Sequence, residues 1–261
     1  MNISLKGKKA LVGGSSKGIG AAIALQLAKS GASVTLMARN QAKMEHLLAE
    51  LDTTLGQQHH YLMVDFSDYD NFKIQISNFF ETNNVDILVN NTQGPSAGGA
   101  LEKTVDDYQA AFDLLFKSVV FTTELALKQM QAKSWGRLIN VASISVKEPL
   151  NYLALSNSIR AAVVTWGKSL SIDVAQYGIT VNNVLTGYFD TDRIAQLNTK
   201  KAEKMGVSPE EVRASMEARV PAKRIGHPSE YGFLVTFLAS EQAAYINGTN
   251  IPIDGGLLKS L

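Results

Sequence analysis

The chain has no cysteine among its 261 residues. That absence excludes disulfides, thiolate nucleophiles and zinc–cysteine sites together. An excess of either charge is missing too: 25 Lys and Arg stand against 24 Asp and Glu, for a net charge of +1. Nothing in that balance draws the chain to nucleic acid or to an acidic membrane surface, so a small molecule is the expected partner. No run of about 18 apolar residues is present, and the first residues lead into the strand-like Lys9-Ala10-Leu11-Val12 without a signal-peptide core. A cytoplasmic protein without membrane contact is the default expectation. His46, His59, His60 and His227 fall in helix-like or loop segments without metal spacing, so no metal site is expected.

What is present is alternation. Apolar runs of strand length at 9–13, 33–38, 60–64, 86–90, 136–141, 180–185 and 250–253 alternate with helical patterns. The helices are expected at 18–30, 41–51, 69–83, within 105–133, at 155–176 and at 229–239. Strands joined by helices cross over right-handed, which predicts one α/β domain over residues 1–261, doubly wound in the Rossmann manner, with ligands at the carboxyl ends of the strands. The polar stretch at about 190–227 interrupts the rhythm, with Gly206, Pro209 and Pro221 inside it. It reads as a substrate lid or, more plainly, as a solvated helical hairpin.

After the first strand the chain turns through Gly13-Gly14-Ser15-Ser16-Lys17-Gly18-Ile19-Gly20. Gly14 suits a tight exit from a strand, Gly18 a close approach to a pyrophosphate, and Gly20 close packing of the next helix on the sheet. The helix N-terminus then offers free N–H groups to an anion. Such turns also occur without ligands. After the second strand, Ala38 stands where NAD readers carry an acid, and Arg39 follows it. With Lys17 in the glycine turn, Arg39 favours NADP over NAD through the 2′-phosphate. Asp65, after the third strand, either accepts from the adenine amino group or caps the helix that follows.

These residues, with Asn90-Asn91-Thr92-Gln93, Asn140-Val141-Ala142-Ser143, and Asn247-Gly248-Thr249 through Asp254-Gly255-Gly256, resemble the short-chain dehydrogenase/reductase family. The resemblance covers essentially the whole chain and lies nearest the 3-oxoacyl-acyl-carrier-protein reductase branch. It implies a seven-stranded parallel sheet, a nicotinamide cofactor, and homotetramers or homodimers. It also implies hydride transfer between that cofactor and a carbonyl or alcohol. Gly14, Ser16, Lys17, Gly18, Ile19, Gly20, Arg39, Asp65, Asn91 and Gly187 become the expected cofactor contacts.

The family's catalytic positions depart from its pattern. Ser143 holds the serine position, but the tyrosine position falls on Ser156, the lysine position on Arg160 and the asparagine position on Leu115. Thr186 stands for the proline before Gly187, Gln93 for a glycine, and Gly13 for the threonine at the head of the turn. Arg160 can still bind ribose hydroxyls, although its planar fork differs from an ammonium. A serine hydroxyl is a far weaker acid than a phenol, and general acid/base catalysis is typically worth about 10²–10⁴-fold. Ser143 either binds the substrate oxygen or satisfies backbone groups at a strand end. Tyr152 and Tyr188 are substitutes for the missing acid, or aromatic walls of the pocket. The expectation is an NADP-dependent oxidoreductase with Ser143, Ser156 and Arg160 at its reacting centre. The alternative is an NADP-binding sensor or oligomer partner that keeps the fold without the chemistry.

Overall fold

In a computed structural model, which describes residues 3–260, seven parallel strands form one sheet in the order β3-β2-β1-β4-β5-β6-β7. These are β1 (Lys9–Gly13), β2 (Ser33–Ala38), β3 (His60–Met63), β4 (Ile87–Asn90), β5 (Gly136–Ser143), β6 (Ile179–Thr186) and β7 (Asn250–Ile253). The strand order reverses between β1 and β4, and the crevice opened there is where such sheets bind ligands. Apolar side chains bury both faces. One core packs β1, β2, α1 (Gly18–Lys29) and α9 (Pro228–Leu238); the other packs α3 (Tyr69–Thr82), α5 (Ser118–Lys133) and α6 (Ala154–Val174) on the opposite side.

Helix α1 ends as its residues dictate. Gly31 follows it at φ +99, and an added Cβ there would lie 3.1 Å from Lys6 N. The expected helical stretch within 105–133 is divided in two: α4 (Val105–Phe112) meets α5 through a π-helical turn, Asp113–Lys117. Such turns widen a helix by one residue and recur at functional sites. The strands β5 and β6 run two residues further than their apolar runs predict, to Ser143, and one residue further at each end, to Ile179 and Thr186.

A ladder of amides crosses the second half of the sheet. Asn90 Nδ2 donates to Asn140 Oδ1 at 2.9 Å, Asn140 Nδ2 to Asn183 Oδ1 at 2.9 Å, and Asn183 Nδ2 to Asn250 Oδ1 at 2.8 Å. Each pair is also a register partner on neighbouring strands. Buried amides are costly unless paired, so a slip of one residue in any strand would orphan several of them. Gly167 of α6 lies directly over this ladder, where a Cβ would come within 2.9 Å of Asn183 Oδ1. Close seating of α6 on β5 and β6 follows.

Residues 190–227 hold two helices packed on each other, α7 (Asp192–Met205) and α8 (Pro209–Arg219). Pro209 does not break a helix; it begins α8, behind a Ser208 cap that accepts from Glu211 N. Among the described residues no helix is long and apolar enough to cross a membrane.

Candidate active site and nucleotide cleft

The glycine turn sits at the β1/β4 crevice as its sequence predicts. Gly14 and Gly18 adopt φ +57 and +60. A Cβ on Gly20 would collide with the Gly14 carbonyl oxygen. No side chain is tolerated there. Asn91, at the end of β4, donates from Nδ2 to Gly13 O at 3.0 Å and braces the turn from the neighbouring strand. The same closeness explains Gly13, because a side chain in its place would strike Asn91 O. Ser15, which the sequence did not single out, is fully buried and accepts from Met37 N at 2.8 Å, tying the turn to β2. Ser16 and Ile19 are half-buried on this turn. This cradle fits a dinucleotide pyrophosphate: it presents a helix N-terminus and backbone that carries no side chain at Gly14, Gly18 and Gly20.

Arg39 lies within 3.5 Å of Asp65 at the ends of β2 and β3. Burial pushes the Asp65 carboxyl up, but hydrogen bonds from Ser67 and the Arg39 charge outweigh it and hold the group below the usual carboxylate range. Asp65 is not the helix cap. That role belongs to Asp68, which accepts from Asn71 N at the start of α3, while Asp65 binds Ser67 two residues on. Lys17 points to Asp192 of α7 at 2.9 Å rather than towards Arg39. Both partners are exposed, and a surface pair of this kind contributes only about 0–1 kcal/mol, so the ammonium can exchange it for a phosphate. Thr191 caps α7 and brings its methyl carbon to 3.4 Å from where a Gly18 Cβ would stand. Sequence reading passed over Thr191; its place four residues after Gly187 was the available signal.

Across the crevice, Ser143 ends β5 and accepts from Ser145 N at 3.1 Å, which satisfies one backbone group and leaves its O–H free to donate. Ser156 and Arg160 lie one turn apart on α6, four residues, and so share a face. Ser156 Oγ has no hydrogen-bond partner among the described residues. Arg160 donates from Nη1 to Val141 O, next to the end of β5. Burial draws the guanidinium below its usual range, with the Tyr231 hydroxyl opposing that and the Arg193 charge adding to it. The π-helical turn carries Leu115 at its centre, 2 % exposed and packed in the core with Leu155 and Ile159. The widened helix remains, but no amide is there to hold a water. Thr186 bonds the buried Tyr231 hydroxyl at 3.0 Å, and Gly187 packs so closely on Asp254 that a Cβ would lie 2.6 Å from its Cα. Gly187 is thus required by the turn after β7.

Tyr152 precedes α6 and Tyr188 follows β6. Burial, then Tyr188, push the Tyr152 phenol above its usual range, opposed by Arg219. That direction keeps it protonated, the opposite of an activated phenolate. Tyr152 still exposes 42 % of its surface. His227 caps α9, and His59 bridges Val34 N and Asp52 O, both structural tasks.

Residues 14–258 match the family model described as enoyl-(acyl-carrier-protein) reductase. The 3-oxoacyl-acyl-carrier-protein reductase FabG of Haemophilus influenzae is 35 % identical over 266 residues, 98 % of this chain and all of that one. The chain belongs to the short-chain dehydrogenase/reductase family. The NADPH-dependent reductase BacG of Bacillus subtilis is 30 % identical over 97 % of this chain and 99 % of its own length. Among solved structures, L-sorbose reductase of Gluconobacter frateurii, complexed with NADPH and L-sorbose, superposes with a TM-score of 0.92 at 29 % identity, covering both chains fully. The expected Rossmann-like sheet and the expected NADP-dependent oxidoreductase class both hold for this member of the family.

Proposed function

We propose that the protein reduces the carbonyl of a small substrate with NADPH, using Ser143, Ser156 and Arg160 in place of the family's serine, tyrosine and lysine. One observation carries the reading: Ser156, with a free hydroxyl, and Arg160 share a face of α6 beside the end of β5, where Ser143 stands. The glycine turn, Asn91 and Gly187 form the floor of the cofactor cleft, with Arg39 and Lys17 for the 2′-phosphate. Asp65 steadies Arg39 for that contact. Bound there, the nicotinamide supplies the hydride. Ser143 O–H donates to the substrate oxygen and fixes its position. Ser156 O–H gives its proton to that oxygen as negative charge develops and regains one from solvent. Arg160, anchored on Val141 O, keeps further N–H donors for ribose hydroxyls and places a fixed positive charge where the alkoxide forms. Tyr152 and Tyr188 line the substrate side, and α7 with α8 form a lid over it. Exposed Phe233 of α9 and Tyr245 support assembly into homodimers or homotetramers in the cytoplasm.

The test is NADPH oxidation by a panel of ketones and 3-oxoacyl thioesters. At least one is expected to be reduced, with the activity lost in Ser156→Ala. NADPH binding without turnover across the panel would instead support the sensor role, for which the missing tyrosine, lysine and asparagine speak.

A further inference from the structure

The seven arginines divide into two groups. Arg39 meets Asp65, Arg137 meets Glu241, Arg213 meets Asp190 and Glu217, and Arg224 meets Glu230, at 2.6–3.5 Å. Arg160, Arg193 and Arg219 have no carboxylate partner among the described residues. Arg160 and Arg193 stand at the crevice, and Arg219 ends α8 near Tyr152. Arg193, in the first turn of α7, reaches across to the loop after β4, where Nη2 donates to Pro95 O at 3.2 Å and lies 3.7 Å from where a Gly94 Cβ would stand. Its charge is felt at Arg160, and that of Arg219, at the end of α8, is felt at the Tyr152 hydroxyl.

Helix stability does not account for Arg193. A cation in a first turn faces the positive end of the helix dipole, so it is a disfavoured choice at that position. The acids nearest the root of the lid are already engaged: Asp190 takes both guanidinium nitrogens of Arg213 at 2.9 and 3.0 Å, and Asp192 takes Lys17. Neither is left to neutralise Arg193. Cations gathered at a cleft without local counter-charges raise its potential and favour an anionic ligand.

We propose that the substrate is an oxoacid whose carboxylate is held by Arg193 on the lid, with Arg219 adding to the attraction at the mouth. This inference rests on the carbonyl-reductase reading above and narrows its substrate. Arg193 gives up its neutral Pro95 carbonyl for a charged oxygen, a stronger acceptor for the same N–H. The substrate carbonyl then lies towards Ser143 and Ser156.

The experiment compares 2-, 3-, 4- and 5-oxo acids, each beside its methyl ester, and a phosphate-bearing ketone, in NADPH oxidation by the wild type, Arg193→Ala and Arg219→Ala. One acid should exceed its ester at least about tenfold in kcat/KM. Arg193→Ala should lower that value about 10- to 100-fold, mainly through KM, as expected for a lost hydrogen bond to a charged group. Its activity on the ester and its NADPH dissociation constant should stay within about twofold. Arg219→Ala should act in the same direction, more weakly and with more dependence on salt. Esters reduced as well as acids, or the phosphate preferred over every carboxylate, would overturn the inference and leave the reductase reading intact. Weakened NADPH binding in Arg193→Ala would overturn it by assigning that guanidinium to the cofactor. No oxidation by any ketone would remove the reductase reading with it.

Discussion

On the β1–β2 side of the crevice, the residues of the glycine turn match the family pattern or sit where their own packing demands them. Gly14, Gly18 and Gly20 leave backbone bare, Ser15 ties the turn to β2, and Asn91 braces it from β4. On the β5–α6 side the scaffold is equally regular. The amide ladder fixes register and the π-helical turn is in place, yet Leu115, Ser156 and Arg160 stand at the positions to which the proposed chemistry is assigned. The difference teaches that the fold positions a residue without choosing it. Backbone geometry around the reacting centre is held by buried amides and packing that lie beneath it, so the side chains above can change while the architecture stays.

The comparison breaks most readily at Ser156. Ser156→Ala is expected to lower kcat about 10²-fold or more while the NADPH dissociation constant moves less than about twofold, as steady-state kinetics and fluorescence titration would show. Unchanged kcat would move the proton donor elsewhere, with Tyr152 the next candidate. On the nucleotide side the effect reverses: Gly20→Ala drives a methyl into the Gly14 carbonyl, and NADPH binding should weaken about 10- to 100-fold, from an overpacking cost of about 1–3 kcal/mol. A folded variant by circular dichroism with unaltered affinity would refute the close-approach account of this turn.

Beneath both sites, Asn140→Ala removes the middle of the amide ladder and leaves Asn90 and Asn183 each short of a partner. Denaturant unfolding should show a loss of about 1–3 kcal/mol. The smallest effect is expected at the start of α9. Arg224, then His227 N, hold the Glu230 carboxyl at about 2 against an ordinary 4.5. A lowered folded-state value means that this contribution is whole above about pH 4.5 and fades as pH falls towards 2. Glu230→Gln should flatten the stability curve over that window, by less than about 1 kcal/mol because the pair is exposed.

Alternation of apolar runs with helical patterns was enough to place all seven strands within two residues at each end, since that rhythm is imposed by burial on both faces of a parallel sheet. The glycine turn was equally legible, being fixed by spacing along a single strand–turn–helix unit, whereas the assignment of 115, 156 and 160 to the family's asparagine, tyrosine and lysine positions is what the resemblance implies. What spacing does not carry is contact between distant segments. Lys17 reaching Asp192, Thr191 standing over Gly18, and Arg193 spanning to Pro95 all join residues 98 or more positions apart through the start of α7. The division of the arginines into paired and unpaired is of the same kind. Asp65 shows the limit locally: both it and Asp68 can cap α3, and only the start of the helix at Tyr69 decides between them.

The central claim is that the nucleotide side retains an NADP site independently of the altered reacting centre. Calorimetric titration of NADPH and NADH into the wild type, Arg39→Ala and Ser156→Ala tests it most directly. NADPH should bind the wild type at least about tenfold more tightly than NADH, in keeping with a charge-assisted contact to the 2′-phosphate. Arg39→Ala should erase that preference and Ser156→Ala should leave it untouched. Equal affinity for the two nucleotides, or binding of neither, would contradict the account.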